Sequence, residues 1–372
     1  MLRDFKLETF FSKWEFNVKH HMCASDMETM TISQLLSFAT NEDREKWDNL
    51  PLKYIETYGM PELRTEIANT YDNISQKNIL AFAGAEEGIF AAMYCILKKD
   101  DHAIVITPNY QSSETIPNSI CDVTGVSLDS DKNWDLDIQK ILDAIKENTR
   151  LIAINFPHNP TGKVISKEKL DTLIEISRKH DIYLFSDEVY RLMERREEIR
   201  LPQIADIYEK GLSLNVMSKA YGLPGLRIGW IASKDIELLD KMERMKHYLS
   251  ICNSSPSEVL SIIALKSREK ILERNRKIIS DNLSLLSPFF EKNRDLFDWK
   301  IPDGGCIGYP KYLGDEGVEV FCENLIENHS IMLLPSSVYQ SELGATVGDH
   351  FRIGYGRIKM KDGLEALEIA LN

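Results

Sequence analysis

Lys219 ends the apolar run LSLNVMSK and is followed by a glycine-punctuated turn and then by Arg227. A lysine withdrawn from water loses the hydration of its charge, which lowers its pKa, so chains seldom bury one unless a neutral amine is useful. One use for such an amine is a Schiff base with a carbonyl. Other groups with chemistry to offer also fall just after apolar runs. Ala85 and Glu86 follow LAFAG, Tyr110 follows IVITPN, Asn159 stands in INFPHNPTG, and Asp187 ends YLFSD with Tyr190 three residues on. Ser218 adjoins the lysine. A helix opening at Ala85 would present free amides to an anion such as phosphate, and Tyr110 could stack on a planar ring. Singly, each has an ordinary explanation: Asp187 caps a helix, Tyr190 fills a core, Asn159 turns the chain, Arg227 is a surface charge, Lys219 ends a strand in solvent.

Position gives these residues a common setting. Between about residues 78 and 233, seven short β-rich runs, ILAFAG, HAIVITP, VTGVSL, RLIAINF, IYLFSD, LSLNVMS and RIGWIAS, alternate with amphipathic stretches such as EEGIFAAMYCILKK, DIQKILDAIKE and KEKLDTLIEISRKH. That alternation predicts an α/β fold with a seven-stranded, mainly parallel sheet covered by helices. Ligands in such sheets bind where strands end and helices begin, which is where the residues above fall. Past residue 238 the pattern changes to long charged helices, LLDKMERMKHYLSICN and SREKILERNRKIISDNLSLLSPFF, and then to short strands around WKIPDGGCIGYP, IMLLPSS and HFRIGYG. The expected organisation is a large domain over 49–240, a smaller α+β domain over 241–372, and an N-terminal segment, 1–48, packed with the smaller one. There is no internal repeat or low-complexity linker.

Composition narrows the function. The 372 residues carry a formal net charge of -13, which argues against nucleic acid or an acidic membrane as partner and favours small molecules. No apolar run reaches signal-peptide or membrane-spanning length, so a cytoplasmic location is expected. The six cysteines form no CxxC pair and read as reduced thiols. The eight histidines show no ligand spacing, so no metal is expected, and His158 beside NPTG reads as structural. No GxGxxG follows the first strand, which removes the nicotinamide dehydrogenases that share this architecture.

As an ordered set, KYIETYGMPELRTEIA, NPTG, SDEVY, SKAYGLPGLRIGW and FRIGYG resemble the class I/II aminotransferase family, the fold-type I enzymes that use pyridoxal 5′-phosphate. The resemblance runs over nearly the whole chain. It implies that Lys219 carries the cofactor as an aldimine and then moves the substrate's Cα proton, and that Asp187 pairs with the pyridine nitrogen. It further implies that Asn159 and Tyr190 bond the ring's phenolic oxygen and that Tyr110 stacks on the ring. Ser218, Arg227 and the amides of Ala85 and Glu86 would hold the phosphate. Arg352, in HFRIGYGR, maps to the arginine that grips the substrate α-carboxylate, with Asn159 beside it, while Arg357 has no comparable role. Ile307 or Tyr309 would shape the substrate pocket. Tyr54 maps to a tyrosine that reaches the neighbouring subunit's phosphate, which implies a homodimer with shared sites; otherwise it is a core tyrosine. Many family members have a serine or threonine three residues before the lysine; here it is Val216, so another contact, such as Tyr54, must replace that hydroxyl.

The implied activity is transfer of an amino group between an amino acid and a 2-keto acid. WEFNVKHHMCASDMETMT near the N-terminus is similar to capreomycidine-synthase-like members, which brings in a second reading as a lyase or cyclising synthase with the same cofactor. A ligand-sensing domain of a transcription regulator would need a DNA-binding module, and this acidic chain begins almost directly with the aminotransferase-like region.

Overall fold

The computed structural model describes residues 2–371. All seven expected strands form one sheet, in the spatial order Ile79–Phe82, Gly229–Ser233, Gly211–Val216, Tyr183–Asp187, Thr149–Asn155, His102–Thr107, Asp122–Ser127. Gly229–Ser233 runs antiparallel to both of its neighbours, and the remaining pairs are parallel. The central strands are buried along their length, as the unbroken apolar runs require of a sheet with helices on both faces. Lys167–Lys179 shows how those helices are made: Ser166 caps its start by accepting from the Lys169 N–H, and Leu170, Leu173, Ile174 and Ile176 face the core.

Register brings distant segments to one edge. Gly229 pairs with Phe82 on one side and Val216 on the other. The turn after Phe82, the turn after Val216 and the segment entering Gly229 therefore meet. Asn155 pairs with Asp187 on the adjoining strands, so the NPTG turn and the SDEVY turn open on the same side.

The C-terminal region carries the helices Ser255–Lys266, Arg268–Lys292, Gly317–His329 and Met360–Ala370 around a three-stranded antiparallel sheet of Ile307–Gly308, Phe351–Gly354 and Leu334–Pro335. The long helix expected over 238–253 is shorter, Ile236–Lys246. At its end Lys246, fully buried, gives its ammonium to the Thr57 and Ala81 carbonyls at 2.8 and 2.7 Å and to Asn253 Oδ1 at 3.0 Å. The chain then turns through Ile251, at φ 66°. N-terminal residues are stitched to this region: His20–His21 pairs in parallel with Ile331–Met332, and the Gly354 N–H donates to the Met22 carbonyl. Among the described residues, no helix is long and apolar enough to cross a membrane, and no group of His, Cys, Asp or Glu is placed to hold a metal ion.

Candidate active site

A cavity of about 470 Å³ lies at the shared sheet edge, within the range of small-molecule sites. Ala85, Glu86, Tyr110, Asn159, Asp187, Tyr190, Ser218, Lys219 and Arg227 all line it, drawn from five separate loops. Val216 lines it too, with an isopropyl group where a hydroxyl was missed.

Lys219 follows its strand by three residues, and its amine donates to Ser25 Oγ at 2.9 Å. Burial lowers its pKa, as does the charge of Arg352, while Asp26 and Asp187 oppose the shift. Asp187 ends the next strand. One carboxylate oxygen accepts from the Val189 N–H at 3.2 Å, and burial pushes its pKa up to about 6. Asn159 is held by its own N–H, which donates to Asn155 Oδ1 at 2.7 Å, while its Oδ1 accepts from the Tyr339 hydroxyl at 3.0 Å. Tyr190 is buried, and its hydroxyl donates to the Ser25 carbonyl at 2.9 Å.

The helix Ala85–Ile96 opens on Gly84, at φ 94°, a conformation that favours glycine, and no side chain caps its first amides. The Arg227 guanidinium rests on that glycine so closely that a Cβ there would lie 2.5 Å from Nη2. It forms no ion pair or hydrogen bond with any described residue. A cation at the positive end of a helix is unfavourable unless an anion lies between them.

Four expected residues stand apart from the cavity. Arg352 is fully buried behind it, with Nε and Nη2 donating to the Cys23 carbonyl at 3.1 and 2.7 Å and Nη1 bonded to Tyr339 and, at 3.5 Å, to Asn159 Oδ1. Tyr54 is 85% exposed and does not line its own chain's cavity, so it is no core tyrosine. Ile307 and Tyr309 are buried but do not line the cavity; Tyr309 stacks on His350 instead. His158 is buried between Thr161 Oγ1 and the Pro108 carbonyl, a structural position. Arg357, given no role from sequence, forms an ion pair with Asp26 at 2.7 Å.

Sequence reasoning missed an entire wall. Phe5, Glu8, Phe11, Glu15, His21 and the stretch from Ala24 to Asp26 also line the cavity. The helix Lys6–Trp14 supplies the first of these. Glu8, Phe11 and Glu15 recur at three and four, a helical face that was legible but pointed to no particular neighbour.

A seven-stranded α/β sheet with an amine, a buried acid and an anion cradle gathered at one edge is the build of a pyridoxal-phosphate enzyme. The model of the aminotransferase class I and II family matches residues 21–368, and the chain belongs to that family. It is 27% identical over 329 residues to a probable aspartate aminotransferase of Methanocaldococcus jannaschii, covering 85% of this chain and 84% of that one. It is 24% identical to capreomycidine synthase of Streptomyces vinaceus, covering 97% of this chain and 92% of that one. Among solved structures, a PLP-dependent aminotransferase from Streptococcus suis superposes with a TM-score of 0.92 at 28% identity, over 100% of this chain and 98% of that one. The cofactor is pyridoxal 5′-phosphate, as in the PLP-dependent aminotransferases of this family.

The residues present fit that group. The uncapped helix start and unpaired Arg227 suit a phosphate dianion. Asp187, with its proton affinity raised by burial, suits a cationic ring nitrogen that restores its charge.

Proposed function

We propose that the protein transfers an amino group between an amino acid and a 2-keto acid, with Lys219 as the residue that carries the cofactor and moves the proton. The observation that carries this reading is the convergence of Lys219, Asp187 and the Gly84–Arg227 cradle on one cavity. When bound, the cofactor supplies an electron sink that makes the substrate's Cα–H acidic.

The chain's own residues supply the rest. Asp187 keeps the ring nitrogen protonated. Asn159 and Tyr190 would bond the ring's phenolic oxygen, the Tyr190 hydroxyl leaving the Ser25 carbonyl to do so, and Tyr110 would stack on the ring. Ala85, Glu86, Ser218 and Arg227 hold the phosphate. The Lys219 amine, whose pKa burial lowers, accepts the proton from Cα and returns it on the other side of the transfer. Arg352 receives the α-carboxylate with Asn159 beside it, after exchanging the Cys23 carbonyl, which already occupies two of its donors. Tyr54, exposed on one subunit, reaches the phosphate of a second in a homodimer and supplies the hydroxyl that Val216 lacks. In this reading the cofactor sits on a large domain, 49–240, and 1–48 closes over it with the small domain, 241–372, in a cytoplasmic enzyme.

The test is to incubate the loaded protein with single amino acids and 2-oxoglutarate and to follow the amino group by mass spectrometry with a 15N label. Label arriving in glutamate supports transfer. Label released as ammonia contradicts it.

A second reading, a lyase or cyclising synthase, has one observation in its favour. The match to capreomycidine synthase takes in 97% of this chain, against 85% for the aspartate aminotransferase. The same labelling separates the two, because a cyclised product keeps the label without any keto acid being consumed.

A further inference from the structure

Beyond the cofactor set, the cavity wall is acidic. Five carboxylates line it, Glu8, Glu15, Asp26, Glu86 and Asp187, against two cations, Lys219 and Arg227. Asp26 is paired with Arg357 at 2.7 and 2.9 Å. Asp187 would face the ring nitrogen, and Glu86, whose Oε2 is buried without a hydrogen-bond partner, would lie at the phosphate end of the cofactor set. Glu8 and Glu15 remain. Seven residues apart on Lys6–Trp14 and its cap, they project from the same helical face two turns apart, with Phe11 between them.

Their direct neighbours do not neutralise them. Glu8 accepts only from the neutral Tyr110 hydroxyl, at 3.2 Å. Glu15 lies 3.9 Å from His21 Nε2, a ring whose pKa falls to about 4 through burial and through Arg352 and Arg357, so it is neutral near pH 7. Neither carboxylate pairs with a lysine or arginine among the described residues. Burial raises the proton affinity of Glu15, the like charges of Glu8 and Asp26 raise it further, and the charges of Arg357 and Lys219 offset only part of that rise. Such a pair gains most from a cation seated between its members.

We propose that Glu8 and Glu15 receive the side chain of the amino-acid substrate, and that this side chain is a cation, an ammonium or a guanidinium. This rests on the proposed reaction, which seats the substrate amine at Lys219 and its carboxylate toward Arg352. The side chain then lies under the helix Lys6–Trp14, which forms that wall. A side-chain carboxylate such as that of aspartate meets two carboxylates there, and no lysine or arginine beyond Lys219 and Arg227 lines the cavity to offset them.

The experiment uses the cofactor-loaded full chain and reads two signals. Calorimetry measures the affinities of L-arginine, L-lysine, L-norleucine and L-aspartate, norleucine being the neutral isostere of lysine. Cofactor absorbance reports whether each amino acid exchanges with Lys219. The expected result is that arginine or lysine binds at least ~10-fold more tightly than norleucine, equivalent to ~1.4 kcal/mol, and aspartate more weakly than norleucine. The stronger of the two basic ligands identifies guanidinium or ammonium. In the Glu8→Gln/Glu15→Gln double variant the preference over norleucine should disappear, with norleucine affinity and thermal midpoint unchanged. Glu15→Lys should favour aspartate. The proposal is overturned if aspartate matches the basic amino acids, if all four bind equally or not at all, or if the preference survives the double substitution. An absorbance band unmoved by every amino acid that binds overturns the proposed reaction instead, while the calorimetric order still decides the class of side chain.

Discussion

Replacing Asp187 by asparagine should make the cofactor-free protein more stable and the cofactor-binding protein worse. Asp187 is 6% exposed, and its pKa rises from 3.8 to about 6 because burial penalises the carboxylate. That rise corresponds to ~3 kcal/mol of unfavourable charge burial near neutral pH. Its sign follows from proton binding. Between pH 3.8 and about 6 the folded protein holds a proton that the unfolded chain has released, so this group's contribution is fully present below 3.8 and is lost as pH rises through 6. Asparagine does not titrate, and its Oδ1 can keep the Val189 N–H bond. Urea denaturation of cofactor-free wild type and Asp187→Asn should therefore give equal stabilities near pH 4, a gap that opens through pH 6, and up to ~3 kcal/mol in favour of asparagine at pH 8. Saturating cofactor should reverse the order, since only the carboxylate gains a cationic partner. A gap that is independent of pH, or an asparagine variant less stable at pH 8 without cofactor, would show that burial of the Asp187 charge does not cost stability.

Gly84→Ala forces a Cβ to within 2.5 Å of Arg227 Nη2 at φ 94°; cofactor affinity, read by absorbance titration, should fall ~10-fold or more while the fold survives. Lys246→Met leaves the Thr57 and Ala81 carbonyls and Asn253 Oδ1 without their buried donor and should cost about 3 kcal/mol or more in denaturant unfolding, with no direct loss of a cavity-lining group. Mixing Lys219→Ala with Tyr54→Phe protein under subunit exchange should raise activity above either parent, because one site of a mixed dimer receives both native residues. Confirmed exchange with activity that merely averages would place Tyr54 in its own subunit's structure.

The central strands were legible because they are apolar runs set off by polar turns, and sheets covered on both faces bury such runs, while the edge strand Asp122–Ser127 buries only Val123 and Val126. The strand-end residues were legible for the same reason: once the strands were placed, Asn159, Asp187 and Lys219 had to share an edge. The wall built from Glu8, Glu15 and Ser25 was not legible, because a surface helix and an extended segment carry no signal for what lies across a cavity from them. Burial alone does not distinguish Lys219 from the other lysine withdrawn from water. Lys246 is the more deeply buried lysine, with a pKa lowered to about 8 by desolvation, yet its three donors are all engaged with the scaffold. Lys219 stands out by what surrounds it, a single serine hydroxyl and open cavity. Helix Ser255–Lys266 escaped notice because its mostly buried surface lacks the amphipathic rhythm that marks the others.

The proposed reaction stands on a covalent bond between Lys219 and the cofactor. Borohydride reduction of the loaded protein, followed by proteolysis and peptide mass mapping, tests it most directly. A single modified peptide containing Lys219 is expected, increased in mass by the reduced cofactor and absent from Lys219→Ala protein, which should still bind the cofactor without a covalent link. Modification of another lysine, Lys246 included, or retention of the covalent adduct in Lys219→Ala would contradict it.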